Sequence, residues 1–169
     1  PNGMTAIGYG MFEDCTALVS ADLPDSIIDI GAHAFEGCTS FTNAIVPDSV
    51  VAIGDYAFYE SAVKTAYIGH NVSDVGSYVF GRCSALTEVT FTSGIETISE
   101  WMFYGCSSLT TIVDFPESVE VIGAHAFENC SALTGIVIPN TVENISDSAF
   151  AGCSVLANVE LSTALVNIG

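Results

Sequence analysis

The feature that most constrains this chain is a period. An Ile or Val followed by Gly or Ser falls at Ile7, Ile30, Ile53, Val75, Ile98, Ile122, Ile145 and Ile168. The spacing is 23 residues, with one unit of 22 after Ile53 and one of 24 after Ile98. The phrase "IGAHAFEGC" at 30–38 returns as "IGAHAFENC" at 122–130, four units later. A fixed period of this length is the signature of a repeat architecture, in which one short unit cannot bury its apolar face alone and neighbours stack to make the core.

Counting from that Ile or Val as position one, the inward columns can be read directly. Position six is Phe in every unit: Phe12, Phe35, Phe58, Phe80, Phe103, Phe127 and Phe150. Position twelve is Leu18, Phe41, Val63, Leu86, Leu109, Leu133 and Leu156. Two further apolar columns lie two residues apart, as in Ile136 and Ile138. That spacing is strand alternation, so "LTGIVIP" at 133–139 predicts a short strand closed by Pro. Pro-Asp-Ser or Pro-Glu-Ser then predicts a turn, since Pro fixes φ and lacks a ladder donor while Asp and Ser bond the nearby backbone. Ala, Phe and Cys three to four apart predict one short helical turn per unit. The expected fold is an α/β repeat solenoid over residues 1–169, with units starting near 7, 30, 53, 75, 98, 122 and 145. Each of about seven coils contributes one short parallel strand and one short helical turn. At about 4.8 Å per coil the stack is roughly 34 Å long.

"IPNTVENISDSAFAGCSVL" at 138–156 and "VPDSVVAIGDYAFYESAV" at 46–63 resemble the BspA-like class of leucine-rich repeats, and the resemblance runs along the whole chain. It implies a leucine-rich-repeat solenoid, an extracellular or cell-surface protein linked with adhesion, and neither enzymatic activity nor a cofactor. Departures from the pattern are local. The third unit is one residue short, with Ser61 for Cys and Gly69 for Pro; the fifth is one residue long, in "TTIVDFPES". The chain opens on Pro1, a strand-ending position, and stops on Gly169, so it reads as a piece of a longer array. Uncovered core columns at both ends would also favour end-to-end stacking into a filament.

Composition narrows the partners. Twenty acids against two bases, Lys64 and Arg82, leave a formal charge of −18. Nucleic acid is excluded as a partner, because phosphate recognition needs clustered Lys and Arg. Mean hydropathy is +0.52, yet no apolar run approaches the roughly 18 residues of a membrane helix, so direct membrane insertion is not expected. The acids are scattered singly and read as a solvated skin.

No constellation carries catalysis. Cys15, Cys38, Cys83, Cys106, Cys130 and Cys153 all occupy position nine, which reads as a column of small buried free thiols whose side chains run parallel. His33 and His125 are equivalent residues four coils apart, too distant to share a metal or a proton, and His70 lies in a turn. Asp25, Asp48 and Glu117 at position nineteen, and Glu13, Glu36 and Glu128 at position seven, supply one acid per coil with gaps, short of a calcium cage. No metal site is expected. Of three glycosylation sequons, Asn71 in a turn is the accessible one, ahead of Asn129 and Asn144.

The outward residues of the strands make the best functional surface. Position fourteen includes Asn43, Thr65, Glu88 and Thr111, a mostly hydroxyl and amide column; position sixteen includes Ile45, Tyr67, Thr90, Val113 and Val137. Solenoids bind along such faces, and an exposed apolar strip marks an interaction site. The expected partner is a protein or glycan ligand on this face, with self-association through the ends as the alternative.

Overall fold

The structure, a computed structural model, describes residues 3–92, 94–113 and 115–169. Pro1 lies outside the described residues. The chain winds into a stack of coils, with two strands in each coil from the second to the seventh, one more than the sequence pattern predicts. The first is two residues long and starts each unit: β1 (Ala6–Ile7), β2 (Asp29–Ile30), β4 (Ala52–Ile53), β6 (Asp74–Val75), β8 (Thr97–Ile98), β10 (Val121–Ile122), β12 (Asn144–Ile145) and β14 (Asn167–Ile168). The second is the expected strand: β3 (Asn43–Val46), β5 (Thr65–Ile68), β7 (Glu88–Phe91), β9 (Thr111–Val113), β11 (Gly135–Val137) and β13 (Asn158–Glu160). All pairing is parallel and in repeat register, as in Ile7 with Ile30 with Ile53.

The expected helical turn is absent: the described residues contain no helix. The stretch from position two to nine is instead a run of β-turns, and its hydrogen bonds explain why. Alternate N–H groups leave the coil. In the fourth coil, Tyr78, Phe80 and Arg82 donate to the carbonyls of Glu100, Met102 and Tyr104 in the fifth, at 3.2, 2.9 and 2.6 Å. The intervening Gly81 and Cys83 donate back three residues, to Tyr78 and Phe80. A helix would direct every N–H along its own axis, so a segment that lends every second donor to its neighbour cannot be one. The same three-bond junction recurs between successive coils, from Gly10, Phe12 and Asp14 onto the second coil to His125, Phe127 and Asn129 onto the seventh.

This geometry needs two left-handed residues per coil. Position four is left-handed in His33 (φ 59°), Tyr56, Tyr78, Trp101, His125 and Ser148, and position eight in Asp14, Glu60, Arg82 and Asn129 or in Gly37 (φ 66°) and Gly105. For a residue with a Cβ this conformation costs roughly 1 kcal/mol or more. The inter-coil bonds and the packing offset it.

The core between the two strand ladders and the turns is a set of stacked columns. The position-six phenylalanines stack face to face, with ring centroids 5.3 Å apart for Phe35 and Phe58, 5.2 Å for Phe58 and Phe80, and 5.8 Å for Phe80 and Phe103. Phe35 through Phe127 are fully buried, whereas Phe12 and Phe150 in the outer coils are half-covered.

Both strand ladders are interrupted once among the described residues. The first divides between β6 and β8, where the Ser99 hydroxyl takes the Val75 carbonyl at 2.5 Å. The second divides between β9 and β11, after the 24-residue coil. The turn ladder crosses both breaks intact.

Replacing Phe80 by Ala removes a ring stacked on both faces and should cost about 3–5 kcal/mol in denaturant unfolding. The same change at half-covered Phe150 should cost clearly less.

Candidate binding face

The exposed side of the sheet β3–β5–β7–β9 carries the residues singled out by the pattern. Asn43, Thr65, Glu88 and Thr111 stand in register as one column, and Ile45, Tyr67, Thr90 and Val113 as the next. Ile45 is 64% exposed and Tyr67 36%, while Thr90 and Val113 are half-buried. The Thr65 hydroxyl donates to the Asn43 side-chain oxygen at 3.1 Å, so neighbouring coils set each other's rotamers. A shallow hollow of about 360 Å³ lies over Asn43, Ile45, Thr65, Tyr67, Glu88 and Thr90. Val137, 60% exposed, stands apart from these columns on β11, beyond the sheet break. The break itself opens a cleft of about 540 Å³, lined by Thr111, Ile112, Phe115, Gly135, Val137 and Glu160 among others.

The other candidates fall as follows. Five thiols sit in the expected column, Cys38, Cys83, Cys106 and Cys130 buried and Cys153 half-buried; Cys15, in the first coil, is exposed. Each covered thiol donates to the position-six carbonyl of the preceding coil, Cys83 to Phe58 at 3.0 Å and Cys106 to Phe80 at 3.0 Å. The column is therefore a hydrogen-bonded one as well as an apolar one. Ser61, which interrupts it, bonds the Phe58 carbonyl at 2.6 Å and meets the Cys83 sulfur at 3.4 Å. Asn71 is exposed and donates to the Asp48 carbonyl at 2.7 Å. His33 and His125 remain far apart, but each has a local carboxylate: His33 Nδ1 meets Glu36, and His125 Nδ1 meets Glu128 at 2.5 Å. Glu13, His33 and Glu36 each place one ligand atom within 4.8 Å of the others, a convergence across two coils that one-acid-per-coil counting does not foresee.

A second surface column escapes the strand-based reading entirely. Rings at position four stack outside the turns: His33 on Tyr56 at 5.1 Å, Tyr56 on Tyr78 at 4.8 Å, Tyr78 on Trp101 at 5.2 Å, and Trp101 on His125 at 3.7 Å, with interplanar angles of 5–10°. Tyr59 and Tyr104 close on it edge-on, and Arg82 bridges Tyr104 and Glu60, 6.0 Å from the ring centroid and 3.1 Å from the carboxylate. The signal was present in the sequence: His, Tyr, Tyr, Trp and His recur at one phase of the period. Stacking of such pairs contributes about 0.5–1.5 kcal/mol each, enough to offset much of the left-handed strain at the same residues.

Parallel strands, stacked aromatic and aliphatic columns and a 23-residue period define a solenoid of the leucine-rich-repeat type. The BspA-type leucine-rich-repeat family model matches six copies over residues 5–133 and 108–169, and the chain belongs to that family. Among solved structures it is similar to a leucine-rich repeat protein from Bacteroides ovatus ATCC 8483, at 32% identity and a TM-score of 0.88 over 100% of this chain and 43% of that one. A leucine-rich repeat protein from Eubacterium ventriosum ATCC 27560 follows at 25% identity and 0.80, over 84% and 38%. The Treponema pallidum leucine-rich repeat protein is 27% identical, with a TM-score of 0.52 over 92% and 63%. The chain spans less than half the length of the first two. No curated protein matches the sequence. No helix among the described residues is long and apolar enough to cross a membrane.

Two predictions follow from the columns. Burial pushes the Cys38 thiol up to about 11 and Cys83 to about 12 from an ordinary 9.0, and raises Cys106 and Cys130 as well. Folding thus favours the protonated thiols. Their contribution is complete below pH 9.0, where unfolded thiols keep their protons, and is lost as pH rises through the folded values of about 11 to 12. The melting temperature should fall over that range, and a thiol reagent at neutral pH should label Cys15 in the folded chain and Cys83, Cys106 and Cys130 only after unfolding. Separately, a double-mutant cycle between Tyr78→Ala and Trp101→Ala should give a coupling of about 0.5–1.5 kcal/mol. Tyr78→Ala should also shift the emission of Trp101, the sole Trp in the chain.

Proposed function

We propose that this chain is a non-catalytic binding segment of a cell-surface or secreted adhesion-type protein, and that it engages a protein or glycan ligand through the exposed face of β3, β5, β7 and β9. The observation that carries this is the pair of registered columns: an apolar strip of Ile45 and Tyr67 beside a polar column of Asn43, Thr65, Glu88 and Thr111. Such a mixture supplies contact area and orientation together. The columns repeat with the coils, so contacts add along the stack. Membership of the BspA-type family supports a surface or extracellular setting. The length of the similar solved proteins supports a chain that is one stretch of a longer array. The test is binding of the isolated chain to an array of glycans and extracellular-matrix proteins, repeated with Tyr67→Glu. A ligand whose affinity falls about tenfold or more with Tyr67→Glu supports the reading; no binder, or binders indifferent to Tyr67, count against it.

A second reading rests on the last coil. Val159, Leu161 and Ile168 expose core columns around a hollow of about 690 Å³. In a longer array the next coil covers them; as an isolated chain, stacking of copies would do so. Sedimentation across a concentration series separates the two, since a strictly monomeric species excludes stacking.

A further inference from the structure

Glu13, His33 and Glu36 are the one place among the described residues where three metal-ligating side chains converge, with their donor atoms within 4.8 Å of one another. A departure in the first coil makes room for them. Position four carries a ring in the next five coils, from His33 to His125, but is Gly10 in the first. The Glu13 carboxylate folds back over that glycine: a Cβ added to Gly10 would meet Glu13 Oε2 at 2.8 Å. The carboxylate thus stands beside His33 where, between later coils, a ring stands. Backbone bonds hold the two coils in this relation, Gly10 donating to Ala32 and Asp14 to Glu36 at 2.9 and 2.8 Å. The imidazole is fixed by its neighbours, Tyr56 of the third coil stacked on it at 5.1 Å and Tyr9 of the first tilted beside it at 5.1 Å. Its Nδ1 meets Glu36, and the two side chains are only 28% and 25% exposed.

The sixth coil supplies the comparison. His125 Nδ1 meets Glu128 at 2.5 Å, as His33 meets Glu36. But the fifth coil sets Trp101 against His125 at 3.7 Å and has Tyr104 at position seven, so no second carboxylate arrives there. Only the first and second coils carry acids at position seven in succession. The donor set selects the ligand. Calcium takes six to eight oxygens, whereas three side chains meet here and one offers nitrogen. An imidazole with carboxylates suits first-row divalent ions such as Zn²⁺. With its proton on Nε2, His33 presents the Nδ1 lone pair. Bonds of about 2.0–2.2 Å place the ligand atoms of one ion roughly 3–4 Å apart. The group spans little more than that, and exposed Glu13 can make the adjustment. A net charge of −18 draws cations to the whole surface, and the imidazole sets this spot apart. We propose that Glu13, His33 and Glu36 form a site for a divalent transition-metal ion, with Zn²⁺ as its reference ligand, that clamps the first coil to the second. The site lies on the turns and not on the strand face, and it does not depend on the reading of that face.

The test is titration of the chain with Zn²⁺ in excess Mg²⁺, which occupies the general acidic surface, read by calorimetry and by imidazole nitrogen NMR. One Zn²⁺ per chain should bind, and the His33 ring signals should move while those of His70 and His125 stay. His33→Phe keeps a ring between Tyr9 and Tyr56, and Glu13→Gln keeps the shape of an exposed side chain. Each should lower affinity about tenfold or more. Gly10→Ala removes no donor. Its Cβ displaces the Glu13 carboxylate, at a left-handed position that His33, Tyr56 and Tyr78 occupy in their own coils, and it should weaken binding too. His125→Phe and Cys15→Ser should leave affinity unchanged. The melting temperature should rise with Zn²⁺, and rise less in Glu13→Gln. Where a substitution fails to fold, the ring signals of the unaltered chain decide. No Zn²⁺ binding in Mg²⁺, His33 signals that stay fixed, or affinity indifferent to Glu13→Gln and Gly10→Ala overturns the proposal. So does affinity lost with Cys15→Ser, because the exposed thiol is then the ligand.

Discussion

The structure depends on a ladder of backbone hydrogen bonds that is not a β-sheet. At each junction, three N–H groups from positions four, six and eight reach the carbonyls of the next coil, and this pattern holds from the first coil to the seventh. It fixes the rise between coils and puts equivalent residues above one another. Everything stacked follows from it: the buried Phe column, the thiols bonded to the carbonyls of the coil before, and the outer rings from His33 to His125. The cost is two left-handed residues per coil, mostly not Gly.

Because the turn ladder holds the coils together, the strand ladders can fail locally without loss of the fold. Beside the 24-residue fifth coil the turn ladder stays intact, while among the described residues β9 and β11 are unpaired and a cleft lies between them. A 24-residue unit in a sheet-only stack would have to shift register throughout, since a slip by one residue turns every side chain to the other face. Here β11 and β13 return to repeat register at once, with Ile136 opposite Val159. A rigid side and an adaptable side are thereby combined in one coil, and the adaptable side is the one that carries the candidate binding columns.

The sequence showed much of this and hid specific parts. The period, the Phe and Cys columns, and the outward columns of Ile45 and Tyr67 were legible because burial repeats at one phase of a constant spacing. The helical turn was misread: Ala, Phe and Cys three to four apart fit a helix and a run of β-turns equally well, and only the destination of alternate N–H groups distinguishes them. The two-residue strands were invisible, being too short for any alternation. The aromatic column at position four was present in the letters, but His, Tyr and Trp share no hydropathy, so a search for apolar periodicity passes over it. The pairing of His33 with Glu36 was within reach, three residues apart in a turn; its approach to Glu13 was not, since that contact crosses coils.

Taken alone, the sequence determined that the chain is a solenoid of the BspA type, which residues line its core, and that its surface is strongly acidic. These follow from period and composition, and each repeat states them again. The tertiary structure alone decided how the coils are tied, where the sheet opens and which polar groups meet. Those depend on the direction of backbone donors and on contacts between residues 22 to 27 positions apart, as in Thr65 with Asn43 or Cys130 with Phe103. A one-residue insertion reads in the sequence as a small irregularity. Whether it ends as a bulge, a shifted register or a cleft is settled by which of two ladders yields first, and here the turn ladder holds.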